Sequence, residues 1–249
     1  MALIEELERT GGWLFRWRSY LPLVLYGLAA LVIIAGLDHQ MDHTAPWWIG
    51  ACLGTSLLGQ AIRAVTIAYT PKDTSGRNTR AGQVAATLNT SGMYSVCRHP
   101  LYLGNFFMWL GIMLYTGSLW LSLVYGLLFW LYYERIMFAE EAFLRRTFGP
   151  AYLHWSERVP PFLPRLRRWK PATAGFSLRN VLKREYNGFF AIFVSFAFVD
   201  LLKNAMDQRA WSPDLLQPIW VYALLGSFVV FATLRTLKKR TRLLHVEGR

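Results

Sequence analysis

Charge is what this 249-residue chain is short of: Asp, Glu, Lys and Arg make up only 17% of it, against 54% hydrophobic and 16% aromatic residues. A soluble domain carries about a quarter charged residues, so this balance points away from water and toward a bilayer. Lys and Arg are missing altogether between residues 19 and 62. There are two cysteines, Cys52 in an apolar run and Cys97 in a basic segment, which excludes a disulfide framework. The sequence shows no internal repeat, low-complexity tract or phosphate-binding glycine pattern. Its start, MALIEELERTGGWLFRWRSY, is acidic and then basic and aromatic, and lacks the order of a cleaved leader. It reads as a short interfacial helix with Trp13 and Trp17 at headgroup depth.

What the chain has instead is six apolar stretches, at about 20–37, 47–69, 101–116, 118–138, 187–202 and 217–234. A bilayer-crossing helix needs about 20 residues; the third and fifth stretches are short. The third and fourth are joined by YTGSL and read as a tight helical hairpin. The net charge of +12 fits either nucleic acid or a membrane surface, and its distribution decides. The N-terminus, residues 63–98, residues 135–186 and the C-terminal tail carry 3, 5, 11 and 6 of the 27 Lys and Arg. Basic residues stay cytoplasmic. The expectation is an all-α integral membrane protein of about six transmembrane helices, with both termini cytoplasmic. Its basic charge follows from topology and anionic headgroups rather than from nucleic acid.

The segment VCRHPLYLGNF, residues 96–106, sets Arg98 and His99 at the mouth of the third stretch. Pro100 suits a first helical position, where a missing N–H costs nothing, and His99 before it is pushed out of the helical region. The free N–H groups of a helix start, with Arg98 beside them, suit a carboxylate or phosphate. The other reading of the pair is interfacial anchoring. Downstream, Glu140 and Glu141 point about 100° apart on a helix. Glu141 has Arg145 four residues on, a surface pair, whereas Glu140 has Leu144 there and is free to serve a site.

LNTSGMYSVCRHPLYLG, an apolar hairpin and then EEAFLRRTFGPAYLHWSERVPPFLP, in that order over about residues 60–164, resemble the isoprenylcysteine carboxyl methyltransferase family and its phospholipid methyltransferase relatives. The resemblance implies S-adenosylmethionine as cofactor and a membrane-resident substrate methylated from the cytoplasmic side. It implies cofactor contacts from Gln83, Ala86, Thr87, Leu88, Asn89, Tyr94, His99, Pro100, Leu101, Tyr102 and Glu140. The family also has a substrate-contacting arginine four residues before that glutamate. Ile136 holds that place here, and Arg135, one residue earlier, is the nearest candidate. Arg98, Glu140 and Arg135 are thus the candidate catalytic residues, and Arg63, Asn105 and Arg135 the candidate substrate contacts. The same resemblance implies the inner membrane of a bacterium, with residues 1–59 as an entry segment, 60–170 as the methyltransferase core and 171–249 as a two-span extension. That extension, absent from the eukaryotic prenylcysteine enzyme, favours a lipid substrate.

Several charges stand outside the motif. Arg63 lies inside the second apolar stretch, where a charge either serves function or snorkels to the interface. Asn105 either faces the cofactor or bonds to a neighbouring helix. His39 and His43 have the i,i+4 spacing of metal ligands, but DHQMDH reads better as an exposed loop, and no metal is expected. Glu185 and Asp200 are acidic groups near span ends, and RLRRWK at 165–170 borders the proposed site. Three functions compete: a membrane methyltransferase, a small transporter and a sterol-type reductase using a nicotinamide cofactor. An acid acceptor needs no base at neutral pH, whereas an amine acceptor would make Glu140 the base.

Overall fold

The computed structural model describes residues 2–18, 20–37, 40–71, 77–79 and 82–246, with the backbone alone at 21, 22, 77–79 and 82–84. The described chain forms α1 (Leu3–Trp17), α2 (Leu21–Ile34), α3 (Pro46–Ala68), α4 (Pro100–Tyr115), α5 (Leu119–Phe148), α6 (Pro150–Ser156), α7 (Leu178–Gln208) and α8 (Pro218–Arg240). The layout is all-helical as expected, apart from a short two-stranded antiparallel ribbon, β1 (Arg77–Thr79) with β2 (Gly82–Val84). Each of the six apolar stretches is a helix. Three of these, α3, α7 and α8, are long and apolar enough to cross a membrane; Leu23–Ile34 of α2 and the whole of α4 are shorter apolar helices.

Helix α4 packs chiefly on α3, and glycines decide how closely. A Cβ at Gly59 would stand 2.4 Å from the Gly104 carbonyl oxygen, and one at Gly111 would stand 2.3 Å from that of Cys52. Ser56 Oγ donates to the Met108 carbonyl at 2.7 Å across the same seam. Small residues let apolar helices touch backbone to backbone where no hydrophobic force distinguishes helix from lipid. The α4–α5 hairpin turns through Gly117, at φ 82°.

Helix α7 begins well before the apolar stretch that marks it in the sequence. The Ser177 hydroxyl accepts from Asn180 N–H, Ser177 N–H donates to Ala68 O at 3.0 Å, and Asn180 Nδ2 donates to Ile67 O at 2.9 Å. These bonds satisfy the open end of α3 and let the polar turns of α7 stay helical beneath the apolar ones. At the other end of the bundle Asp200 accepts from Tyr115 OH at 2.8 Å and Gln217 N–H at 2.9 Å. Lys203 Nζ donates to the Thr116 carbonyl at 2.7 Å. His43 bonds Asn204 there, while His39 lies outside the described residues.

Helix α1 runs antiparallel along the C-terminal half of α5. Gly11 sits against the Arg135 carbonyl, Tyr132 OH donates to Leu14 O at 3.0 Å, and Arg146 pairs with Glu8. Its other face exposes Leu3, Ile4, Trp13 and Trp17. Cys52 and Cys97 are both free. Gly111→Leu is expected to cost about 1–3 kcal/mol by overpacking the α3–α4 seam. Gly126→Leu, where an added Cβ meets nothing within 4 Å, should stay within about 0.5 kcal/mol. Thermal unfolding of the two variants in detergent checks the contrast.

Candidate active site

The stretch before α4 is held from far along the chain. Arg98 N–H donates to Pro160 O at 2.9 Å, His99 N–H to Pro161 O at 3.1 Å, and Arg165 N–H returns to Val96 O at 3.0 Å. His99, at φ −122° and ψ 58°, is the N-cap, and Pro100 opens the helix. Burial pushes the Cys97 thiol up to about 12 and so keeps it unreactive.

One cavity of about 360 Å³ opens at this end of the bundle. Tyr94, Arg98, His99, Pro100, Leu101, Tyr102, Glu140, Arg63 and Asn105 all line it, so the structure gathers most of the candidates in one place. Tyr102 OH donates to Glu140 at 2.9 Å and fixes its carboxylate, and His99 Nδ1 lies 3.6 Å from the same oxygen.

Glu141 differs from expectation. Instead of a surface pair with Arg145, it turns inward and holds Arg98 Nη1 at 2.9 Å and His99 Nε2 at 2.9 Å. The helix rotation that aims Glu140 at the cavity aims Glu141 at the loop carrying Arg98. The buried imidazole thus meets a carboxylate at each nitrogen. Burial alone would lower its pKa, but the bonds and charges of Glu140 and Glu141 outweigh that and hold it above its ordinary value. Burial likewise opposes ionisation of Glu141, yet His99 and Arg98 bring its pKa below the usual range.

Arg63 is the other centre of the site. Its Nε and Nη2 grip Glu185 at 2.8 and 2.7 Å, and its Nη1 donates to Asn105 at 2.7 Å. Gln60 Nε2 adds a bond to Glu185 at 3.0 Å, and Asn105 Nδ2 donates to Tyr133 OH at 3.2 Å. Arg63 therefore does not merely snorkel: it is a bidentate partner to an acid that is 4% exposed.

Other candidates fall elsewhere. Arg135 lies on the opposite side of α5 beside α1, its Nη1 donating to Leu131 O at 3.3 Å, because a spacing of five residues rotates it away from Glu140. Ile136, at the aligned place, is fully buried. Ala86, Thr87, Leu88 and Asn89 do not line the cavity. Leu88 packs with Tyr152 and Trp155, and Asn89 Oδ1 accepts from Ser91 N–H at 3.2 Å. The Gln83 side chain lies outside the described residues. Arg18, Tyr133, Arg184 and Glu185 line the cavity unforeseen. The signal for Glu185 was a lone acid at the mouth of one span, on the same side as a lone base, Arg63, at the mouth of another. Among the described residues no group of three or more His, Cys, Asp or Glu is placed to hold a metal ion.

Known proteins resemble the chain over the part of its length that builds this site. Residues 49–151 match the model of the phospholipid methyltransferase family. The chain is similar to the nickel-cobalt-cadmium resistance protein NccN of Alcaligenes xylosoxydans xylosoxydans, 34% identical over 60% of this chain and 63% of that protein. It is also similar to the cobalt-zinc-cadmium resistance protein CzcN of Cupriavidus metallidurans, 36% identical over 55% of this chain and 61% of that one. A third relative is the protein-S-isoprenylcysteine O-methyltransferase of Schizosaccharomyces pombe, 30% identical over 46% of this chain and 48% of its own. The chain thus spans less than two thirds of the length of each. No solved structure matches it.

Because the His99 pKa is raised on folding, its stabilising contribution is complete below about pH 6.5 and is lost as pH rises through the folded value. The wild-type Tm in detergent should therefore fall across that window, and the fall should be smaller in His99→Gln. Glu185→Ala leaves Arg63 without its anion and is expected to cost about 3–5 kcal/mol, read by thermal unfolding against Glu185→Gln.

Proposed function

We propose that this protein is an S-adenosylmethionine-dependent methyltransferase that methylates an acidic group, phosphate or carboxylate, on a membrane lipid. In this reading six helices span the inner membrane of a bacterium, both termini are cytoplasmic, and the cavity faces the cytoplasm. The observation that carries it is the convergence of Glu140 and Arg98 on one cavity at the start of α4.

The residues fit the cofactor. Arg98 lines the cavity, and its Nε is buried with no hydrogen-bond partner among the described residues, a donor left for a ligand carboxylate. Glu140, steadied by Tyr102, offers the anion that a cationic ligand needs. S-adenosylmethionine, when bound, supplies a methyl group on a positively charged sulfur. The protein's part is to align the acceptor and exclude water; Tyr94, Tyr102 and Tyr133 form an aromatic wall suited to both. The lining carries Arg18, Arg63, Arg98 and Arg184 against Glu140 and Glu185. A net positive wall concentrates an acidic acceptor and repels the fixed cation left by repeated amine methylation.

The alternative acceptors are phosphatidylethanolamine, with Glu140 as base, and a prenylcysteine carboxylate, supported by the name of the fission yeast relative. Neutralising an acidic headgroup also removes a ligand for divalent cations, which connects the activity to the two metal-resistance relatives. The runner-up of another class, a small transporter, lacks support from a cavity confined to one end of the bundle.

S-adenosylhomocysteine at a hundred times its Kd should stabilise purified protein by about 2.7 kcal/mol, and NADPH should not. Glu140→Gln should abolish this stabilisation. Labelled-methyl transfer to total membrane lipid should yield a methyl ester on an acidic lipid. Label appearing instead on phosphatidylethanolamine nitrogen would overturn the choice of acceptor.

A further inference from the structure

Helix α2 is tied away from α5. Tyr26 bonds Ser195 of α7 and meets the rings of Phe198 and Trp109 edge-on at 5.6 and 5.5 Å. A groove is left between α2 and α5. Its floor is Leu25, Tyr125 and Phe129, each under 5% exposed, and its rims are the exposed Val24, Leu128 and Leu131. It follows α5 from Tyr125 to Arg135, about 15 Å at 1.5 Å per residue. At its end a second hollow, sharing Leu14 and Arg135 with the groove, adds Arg9, Thr10 and Trp13. The two hollows are lined by two arginines and by no acid.

We propose that this groove binds one acidic phospholipid, with an acyl chain along α5 and its phosphate held by Arg9 and Arg135. The apolar length suits a hydrocarbon chain, and the purely basic end suits a phosphate in the headgroup layer. This site is separate from the cavity: Glu140 and Arg135 are on different faces of α5, and the Phe129–Tyr133 stack, at 4.2 Å between centroids, stands between groove and cavity. The two are connected through α1, which carries Arg9 at the second hollow and ends on its C-cap Arg18 at the cavity. A lipid bridging Arg9 to Arg135 holds α1 onto α5 and so steadies Arg18. The proposal does not depend on methyl transfer.

The test is native mass spectrometry of the full chain released from detergent after titration with dioleoyl phosphatidylglycerol, dioleoyl phosphatidylcholine or free glycerol phosphate. One phosphatidylglycerol should be retained in preference to phosphatidylcholine, and glycerol phosphate should not bind. Arg9→Gln with Arg135→Gln should weaken retention at least tenfold by removing the headgroup contacts. Leu28→Trp should do so by filling the groove, and circular dichroism checks that each variant is folded; either variant, if folded, suffices as the test. Equal retention of the two lipids, retention by a folded variant equal to wild type, or binding of glycerol phosphate alone would overturn the proposal.

Discussion

An arginine placed in an apolar helix has to find an anion, and the architecture of this end of the bundle depends on how Arg63 does so. Its partner, Glu185, comes from α7, more than a hundred residues away in sequence. Once the two are joined in bidentate fashion, the remaining guanidinium nitrogen sets Asn105, and Asn105 sets Tyr133. A single charge on α3 thus fixes the register of α4, α5 and α7 around the cavity. Breaking a buried pair strands the surviving charge, which is why such pairs constrain structure more than they stabilise it.

A second constraint acts on the opposite wall. His99 stands between two carboxylates, and Arg98 shares one of them, so the loop before α4 is bound to the C-terminal half of α5 by charge as well as by packing. Glu140 and Glu141 divide the work. One faces the cavity and the other holds the loop that shapes it.

The apolar helices were legible because hydrophobic length is a one-dimensional property, and the start of α4 was legible because proline's geometry is local. The separation of Glu140 from Glu141 was readable too, since adjacent residues on a helix must diverge. The partner of Glu141 was not: a local i,i+4 rule offered Arg145, while a tertiary contact with Arg98 and His99 prevailed. Arg135 was legible only as a doubtful candidate, because one residue of offset rotates a side chain to the other face. The full length of α7 was not legible: its first turns lie outside the apolar stretch at 187–202, and Asn180 docks them on the end of α3.

The carbonyls of Pro160 and Pro161 have a consequence for the order in which the chain is built. They receive the N–H groups of Arg98 and His99, so the loop at the head of α4 gains its shape only after sixty further residues have been made and have folded back. Glu185 arrives later still. During synthesis, which delivers N-terminal segments first, the α4–α5 hairpin is in place before its polar end is complete, and Arg63 waits for its counter-charge until α7 emerges. The cavity is therefore among the last features of the molecule to form, and a chain interrupted before α7 would present an assembled set of apolar helices with an unfinished site.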